Sequence, residues 1–369
     1  MHVLFLSRFP PEIDGVGDYT FELVQYIKAL CKVSVLSIGK GQVEEINGVK
    51  IFRSINENKR SHYTDIISLI KIIDPDIVHF QTATFTFKIP FLFFPLFINK
   101  PLIITSHDAP SLRQIHYFPF FNYTYRKSRK IITLSKPIAE IIKKYHFIED
   151  SKIILMHHGA DVIKFNPNVS KKDFLEKYGL DSNYHIIMSF GFIGKGKGHH
   201  VLIHAYSKVA NKMPDTKLII AGTVKERENI MYYNYLKYLV KKYGLESRVI
   251  FTGYVPSEIL PSCIASADIF VLPYLGGLHK SGPLHRALAC GRAIIASNIS
   301  SFREVIKNYI NGILVEPNNV EDLANSLLNL YKDEKLREKI SKEARKFAEE
   351  YLDWRKIANE TYKIYKNLG

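Results

Sequence analysis

Four stretches of this sequence carry residue types that hold anionic oxygen or move protons. Residues 191–198 read Gly-Phe-Ile-Gly-Lys-Gly-Lys-Gly and follow an apolar run at 186–190. Glycine lets backbone N–H groups come close to an anion, and Lys195 and Lys197 add point charge. The Gly-Lys-Ser/Thr ending of a Walker loop is missing. Ser281-Gly282-Pro283-Leu284 stands between a glycine-rich loop and an Ala- and Leu-rich segment that stops at Gly291. Ser281 reads as a helix cap, which would place free N–H groups at an anion site; a flexible turn is the alternative. His107-Asp108 ends the apolar run 102–105. A histidine there can donate to a hydroxyl or phosphate, take part in proton transfer, or simply cap the loop. Gly15-Val16-Gly17, between a strand and a helical pattern, is a weaker phosphate-approach signal, with a plain turn as its alternative. The pair His157-His158 lacks a carboxylate or cysteine at metal-ligand spacing, so no metal is expected.

Positioning these stretches requires alternating strands and helices. Short apolar runs at 3–7, 33–38, 76–81, 102–105, 131–135 and 153–156 predict buried strands. Helical spacing of Phe21, Val24, Ile27 and Leu30 predicts a helix over 19–30, with Gly15 to Gly17 in the loop before it. Residues 87–98 are apolar, aromatic and interrupted by Pro90 and Pro95. They read as a core helix, with a surface portion dipping into lipid as the alternative. A polar linker is expected at 166–172. The pattern then restarts, with strands at 186–190, 218–222, 249–254, 269–272, 293–296 and 311–315. His79 lies inside a strand and reads as a satisfied core histidine. The sequence thus predicts two doubly wound α/β domains, 1–167 and 168–352, followed by a final helix at 353–369.

The chain has 369 residues and a formal net charge of +15, which suits phosphorylated substrates or anionic lipid. No zinc spacing or RNA-binding signature accompanies that charge, so nucleic acid is not expected. Three well-separated cysteines, Cys31, Cys263 and Cys290, fit a reducing compartment. No signal peptide or membrane span is read, and a cytoplasmic location is expected. Basic residues between Arg113 and Lys136 are interleaved with Tyr117, Phe118, Phe120, Phe121, Tyr123 and Tyr125. That mix suits either a membrane-surface acceptor site or an ordinary amphipathic helix.

The stretch 270–305 resembles the donor-sugar loop of retaining glycosyltransferases of the two-domain GT-B architecture, in the family 4 group. The likeness lies in an apolar strand ending at Pro273, a glycine-rich loop, Ser-Gly-Pro-Leu, Ala-Leu-Ala-Cys-Gly, a second apolar strand, and Arg-Glu-Val-Ile. The resemblance implies two Rossmann-like domains facing a cleft, with the acceptor on the N-terminal side, a nucleotide diphosphate sugar on the C-terminal side, and the last helix, 353–369, packing back on the first domain. It places Gly15 and Gly17 toward the donor phosphates or the acceptor, and His107 toward the donor sugar in a catalytic role. Lys197 would hold the diphosphate with help from Lys195, because Phe192 stands where many members have arginine. Ser281, Gly282, Pro283 and Leu284 would offer the helix N-terminus. Tyr254 lies where the family holds the base, to stack on it or merely to pack. Of the family's two glutamates this chain has neither: Arg286 replaces one, and the other falls at Gly277 or Leu278. The activity implied is retaining transfer of a hexose to an acceptor hydroxyl on a glycan, lipid-linked or small-molecule acceptor. Neither a metal nor another cofactor is implied, and peripheral contact with a membrane surface is left open. A nucleotide-sugar epimerase and a non-catalytic binding subunit are the alternatives.

Overall fold

The computed structural model describes residues 1–369 except 13, 40, 56–61, 84–97, 109–117, 225–226, 277–280 and 369, and the side chains of 62–65. The chain forms two compact units. The first comprises Met1–Gly159 and the terminal segment from Trp354; the second runs from Ala160 to Asp353.

The first unit is built on an eight-stranded sheet. Its strands are β1 (His2–Leu6), β2 (Lys32–Ile38), β3 (Gln42–Ile46), β4 (Val49–Ile55), β5 (Ile77–Thr82), β6 (Leu102–Ser106), β7 (Lys130–Thr133) and β8 (Ile153–Leu155), in the order β3-β4-β2-β1-β5-β6-β7-β8. All neighbours are parallel except the hairpin β3–β4, which turns through Asn47-Gly48, both at positive φ. Side chains alternate between two cores, as the period of a strand requires. Leu4, Leu6, Val78, Phe80, Leu102 and Ile104 enter one. Val3, Phe5, Ile77, Ile103 and Ile132 enter the other. Helices α2 (His62–Ile73), α3 (Phe118–Lys127) and α4 (Lys136–His146) accompany the first face. On the second face lie α1 (Gly15–Ile27) and, from the far end of the chain, the helix Trp354–Lys366.

The second unit holds a six-stranded, all-parallel sheet: β9 (His185–Phe190), β10 (Thr216–Ala221), β11 (Val249–Gly253), β12 (Ile269–Leu272), β13 (Ala293–Ser297) and β14 (Ile313–Val315). Their order, β11-β10-β9-β12-β13-β14, is that of a doubly wound nucleotide-binding sheet. Helices α5 (Lys172–Lys177), α6 (His199–Val209), α7 (Ile230–Lys242), α8 (Leu260–Ala265), α9 (Gly282–Ala289), α10 (Ser300–Arg303), α11 (Val320–Lys332) and α12 (Glu334–Phe347) complete it. The terminal helix Trp354–Lys366 is α13. Ile186, Met188, Phe270 and Leu272 face one core, and Ile187, Ile269 and Val271 face the other. Strand order reverses between β9 and β12, so the loops leaving these two strands flank the switch point where such sheets bind ligands.

Two expectations shift. The domain boundary lies at Gly159/Ala160, not after residue 167, because Ala160, Val162 and Phe165 are buried in the second unit's core. Arg345 ties that segment down by donating from Nη1 to the carbonyls of Val162 and Phe165, each at 3.0 Å. Gly15 to Gly17 are the first turn of α1 rather than loop. Of the basic and aromatic stretch, helix α3 is amphipathic: Phe121 and Tyr125 are buried, and the Tyr125 hydroxyl meets Ser106 Oγ at 2.7 Å. The apolar stretch 87–97, Arg113 and Tyr117 lie outside the described residues.

Candidate functional site

In the second unit the chain leaves β9 through Gly191, at φ 138°, and reaches α6 through a tight turn at Lys195–Lys197. Gly198, at φ 68°, closes that turn. A Cβ on it would come 1.8 Å from the carbonyl oxygen of Pro273, so only glycine fits where the loop after β12 passes. The two loops are stitched together by the Leu275 N–H, which donates to the Gly196 carbonyl at 3.0 Å. The Lys197 ammonium lies 3.9 Å from the centroid of the Tyr274 ring, a cation–π contact. The buried Tyr274 hydroxyl is 3.2 Å from Ser281 Oγ. Ser281 caps α9: its Oγ accepts from the Leu284 N–H at 3.4 Å, with Pro283 in the first turn. The Ser281 carbonyl also accepts from His285 Nδ1 at 2.7 Å.

One tyrosine therefore joins the lysine of one loop to the helix start of the other. The residues gathered are Lys197, Ser281, Gly282, Pro283 and Leu284, with Lys195 exposed on the same turn. Tyr274 was missed by the sequence reading; its place directly after the end of an apolar strand, beside Pro273, is the signal that could have found it. The start of α6 offers less to an anion than its sequence suggests. The N–H groups of Val201 and Leu202 donate to the Gly198 carbonyl at 2.9 and 3.3 Å. That of His200 donates to the Tyr232 hydroxyl at 3.2 Å. The charge of this loop thus resides in its lysines. Tyr254 is 63% exposed at the end of β11, a free face rather than a packed one. Arg286 lies half-buried with its guanidinium 5.6 Å from the centroid of the Phe165 ring.

In the first unit His107 follows β6 and extends its ladder, its N–H donating to the Thr82 carbonyl at 2.9 Å. His107 Nε2 is 2.9 Å from Gln81 Oε1. Tyr19 of α1 meets the imidazole edge-on, with ring centroids 4.8 Å apart. Tyr19 also packs against His158 and Trp354. The start of α1 is capped from within the chain. The Asp14 carboxylate takes the N–H groups of Val16 and Gly17 at 3.0 and 3.1 Å, so an acidic group already occupies that helix start. Gly17 allows α1 to approach Arg8, whose carbonyl carbon would lie 3.3 Å from a Cβ, and Gly15 is exposed. These contacts hold the helix that carries Tyr19. His79 is a satisfied core histidine, bonded to Tyr365 at 2.5 Å and Thr105 at 2.8 Å. Among the described residues no group of three metal-ligating side chains occurs, and no helix is long and apolar enough to cross a membrane.

Two family models match the chain, Glycosyl transferases group 1 over residues 170–347 and Glycosyltransferase Family 4 over residues 13–164. An uncharacterized glycosyltransferase of Methanocaldococcus jannaschii is 29% identical over 71% of this chain and 64% of its own length. Among solved structures, a glycosyltransferase from Rickettsia africae superposes with a TM-score of 0.84 at 21% identity, covering 99% of this chain and 98% of its own. HepE of Anabaena, solved in complex with UDP, gives a TM-score of 0.82 at 16% identity over the full length of both chains.

Proposed function

The chain belongs to the group 1 glycosyltransferases of GT-B architecture, and on that premise we propose that it moves a hexose from a nucleotide diphosphate sugar to an acceptor hydroxyl with retention at the anomeric carbon. One observation carries this reading: the Lys197 ammonium and the Ser281-capped start of α9 meet on Tyr274 at the sheet's switch point. When the bond from the sugar to the diphosphate breaks, negative charge grows on the departing oxygens. A fixed ammonium and the positive end of a helix stabilise that charge without reorganising. In this reading Lys197 holds the diphosphate, Lys195 supplements it, and these groups take the place of a metal. His107 faces the sugar, and exposed Tyr254 stacks on the base. The acceptor is a saccharide or a lipid-linked sugar, met in the cytoplasm or at its membrane face.

HepE has also been solved with UDP-glucose, which makes UDP-glucose the first probe to try. A panel of nucleotide sugars read by thermal shift tests the proposal. A ligand at about 100 times its Kd stabilises the folded form by about 2.7 kcal/mol, and the melting temperature rises accordingly. The expected result is a rise with at least one nucleotide diphosphate sugar, retained in EDTA and lost in Lys197→Ala. A Lys197→Ala protein that melts like the parent and still responds fully would remove the lysine, and the reading with it.

A further inference from the structure

We propose that Gln81 is a positioning residue for His107, fixing the imidazole tautomer with the proton on Nε2. The proposal deepens the reading above and rests on it for the role of His107. It begins with strand geometry. On β5, His79 and Gln81 point to the same face, since alternate residues share a face. On β6, Thr105 pairs with Gln81 in register, and His107 lies two residues further on that same face. The four side chains thus form one row, closed by Tyr365 of α13 and Tyr19 of α1.

The contacts in the row have a consistent direction. Gln81 Oε1 faces His107 Nε2 at 2.9 Å, while Gln81 Nε2 faces His79 Nε2 at 3.4 Å. A carbonyl oxygen can only accept, so His107 Nε2 must carry the hydrogen and donate it. The amide is turned this way by His79. His79 Nε2 also lies 2.8 Å from Thr105 Oγ1, and its Nδ1 lies 2.5 Å from the Tyr365 hydroxyl. With the His79 proton on Nδ1, Tyr365 accepts it, and Nε2 accepts from Thr105, with the Gln81 amide nitrogen as a longer second contact. Burial holds His79 neutral, with its pKa pushed down to about 3, so one ring nitrogen accepts, and with the proton directed at Tyr365 that nitrogen is Nε2. The edge-on Tyr19 ring fixes the tilt of the His107 ring from the other side. In the resulting tautomer Nδ1 bears the lone pair of the ring.

The full-length protein, labelled with ¹⁵N, tests this through long-range proton–nitrogen spectra of the histidine rings, with His107 assigned by its loss in His107→Asn. The expected spectrum at neutral pH shows Nδ1 unprotonated and Nε2 protonated. Gln81→Leu, which removes the acceptor and keeps the volume, should bring both nitrogens toward averaged shifts while the amide spectrum stays folded. An Nδ1-protonated His107 in the parent protein overturns the proposal without any variant. So does an unchanged tautomer in a folded Gln81→Leu. Wild-type turnover of UDP-glucose by His107→Ala would instead remove His107 from the proposed reaction and leave the tautomer result standing.

Discussion

At the scale of single residues, close contacts decide what can be changed. Gly198 combines a left-handed backbone with a carbonyl where its side chain would be. Gly198→Ala should destabilise the second unit by at least about 1–3 kcal/mol and weaken any nucleotide-sugar response, because the two loops must part. Urea unfolding and the thermal-shift panel together check this; a variant of parental stability would mean the loops are not held as described. Buried histidines set a second expectation. Burial pushes the pKa values of His79 and His199 down to about 3. In the unfolded chain each titrates near 6.5, so the unfolded state takes up protons that the folded state refuses. Stability is therefore full above about pH 6.5 and falls as the pH drops toward 3, by up to about 1.4 kcal/mol per pH unit for each histidine. Denaturant midpoints between pH 6.5 and 4.5 should fall less steeply in His199→Gln than in the parent. Equal slopes would show that His199 is not held neutral.

At the scale of elements, the start of α9 is the feature on which the donor site turns. Ser281→Ala removes both the cap and the oxygen that meets Tyr274, and a lost cap costs about 1 kcal/mol. The expected outcome is a small drop in stability with a larger loss of nucleotide-sugar response, since Tyr274 then holds Lys197 less firmly. Equal loss in both measurements would mean that Ser281 serves only the helix. The sequence showed this element well: Ser281, Pro283 and Gly291 mark cap, first turn and stop, and apolar runs marked the strands on either side. It did not show that Lys197 and Ser281 share Tyr274, because that contact depends on β9 and β12 being neighbours, a fact of sheet order that no local spacing carries. Hairpin β3–β4 carried a legible Asn-Gly turn, but its first strand, Gln-Val-Glu-Glu-Ile, is too polar to register as an apolar run. Gly15-Val16-Gly17 is ambiguous for a related reason. Glycines near a helix start look alike whether they admit a phosphate or a neighbouring backbone, and the Asp14 cap on that start is visible only in the structure.

At the scale of the whole molecule, the chain ends where it began. After the second unit, α13 returns to the first and packs along α1. Trp354 is buried there and Gly159 exists to receive it, since a Cβ on Gly159 would lie 2.3 Å from the indole. Ile357, Ala358 and Tyr365 follow on the same face at helical spacing. The first unit's second core is therefore incomplete until the last residues of the chain are in place, and the row from Tyr365 through His79 to His107 is closed by that helix. Trp354→Ala removes a fully buried aromatic side chain, a change that typically costs about 3–5 kcal/mol. Because the residues lost belong to the first unit, the effect should be unequal: hydrogen exchange should accelerate across β1, β5 and β6 and change little across β9, β10 and β12. The nucleotide-sugar response, which belongs to the second unit in this reading, should then survive at temperatures where the first unit has already loosened. Equal acceleration in both sheets would mean that α13 stabilises the chain as one cooperative body rather than completing the first unit alone.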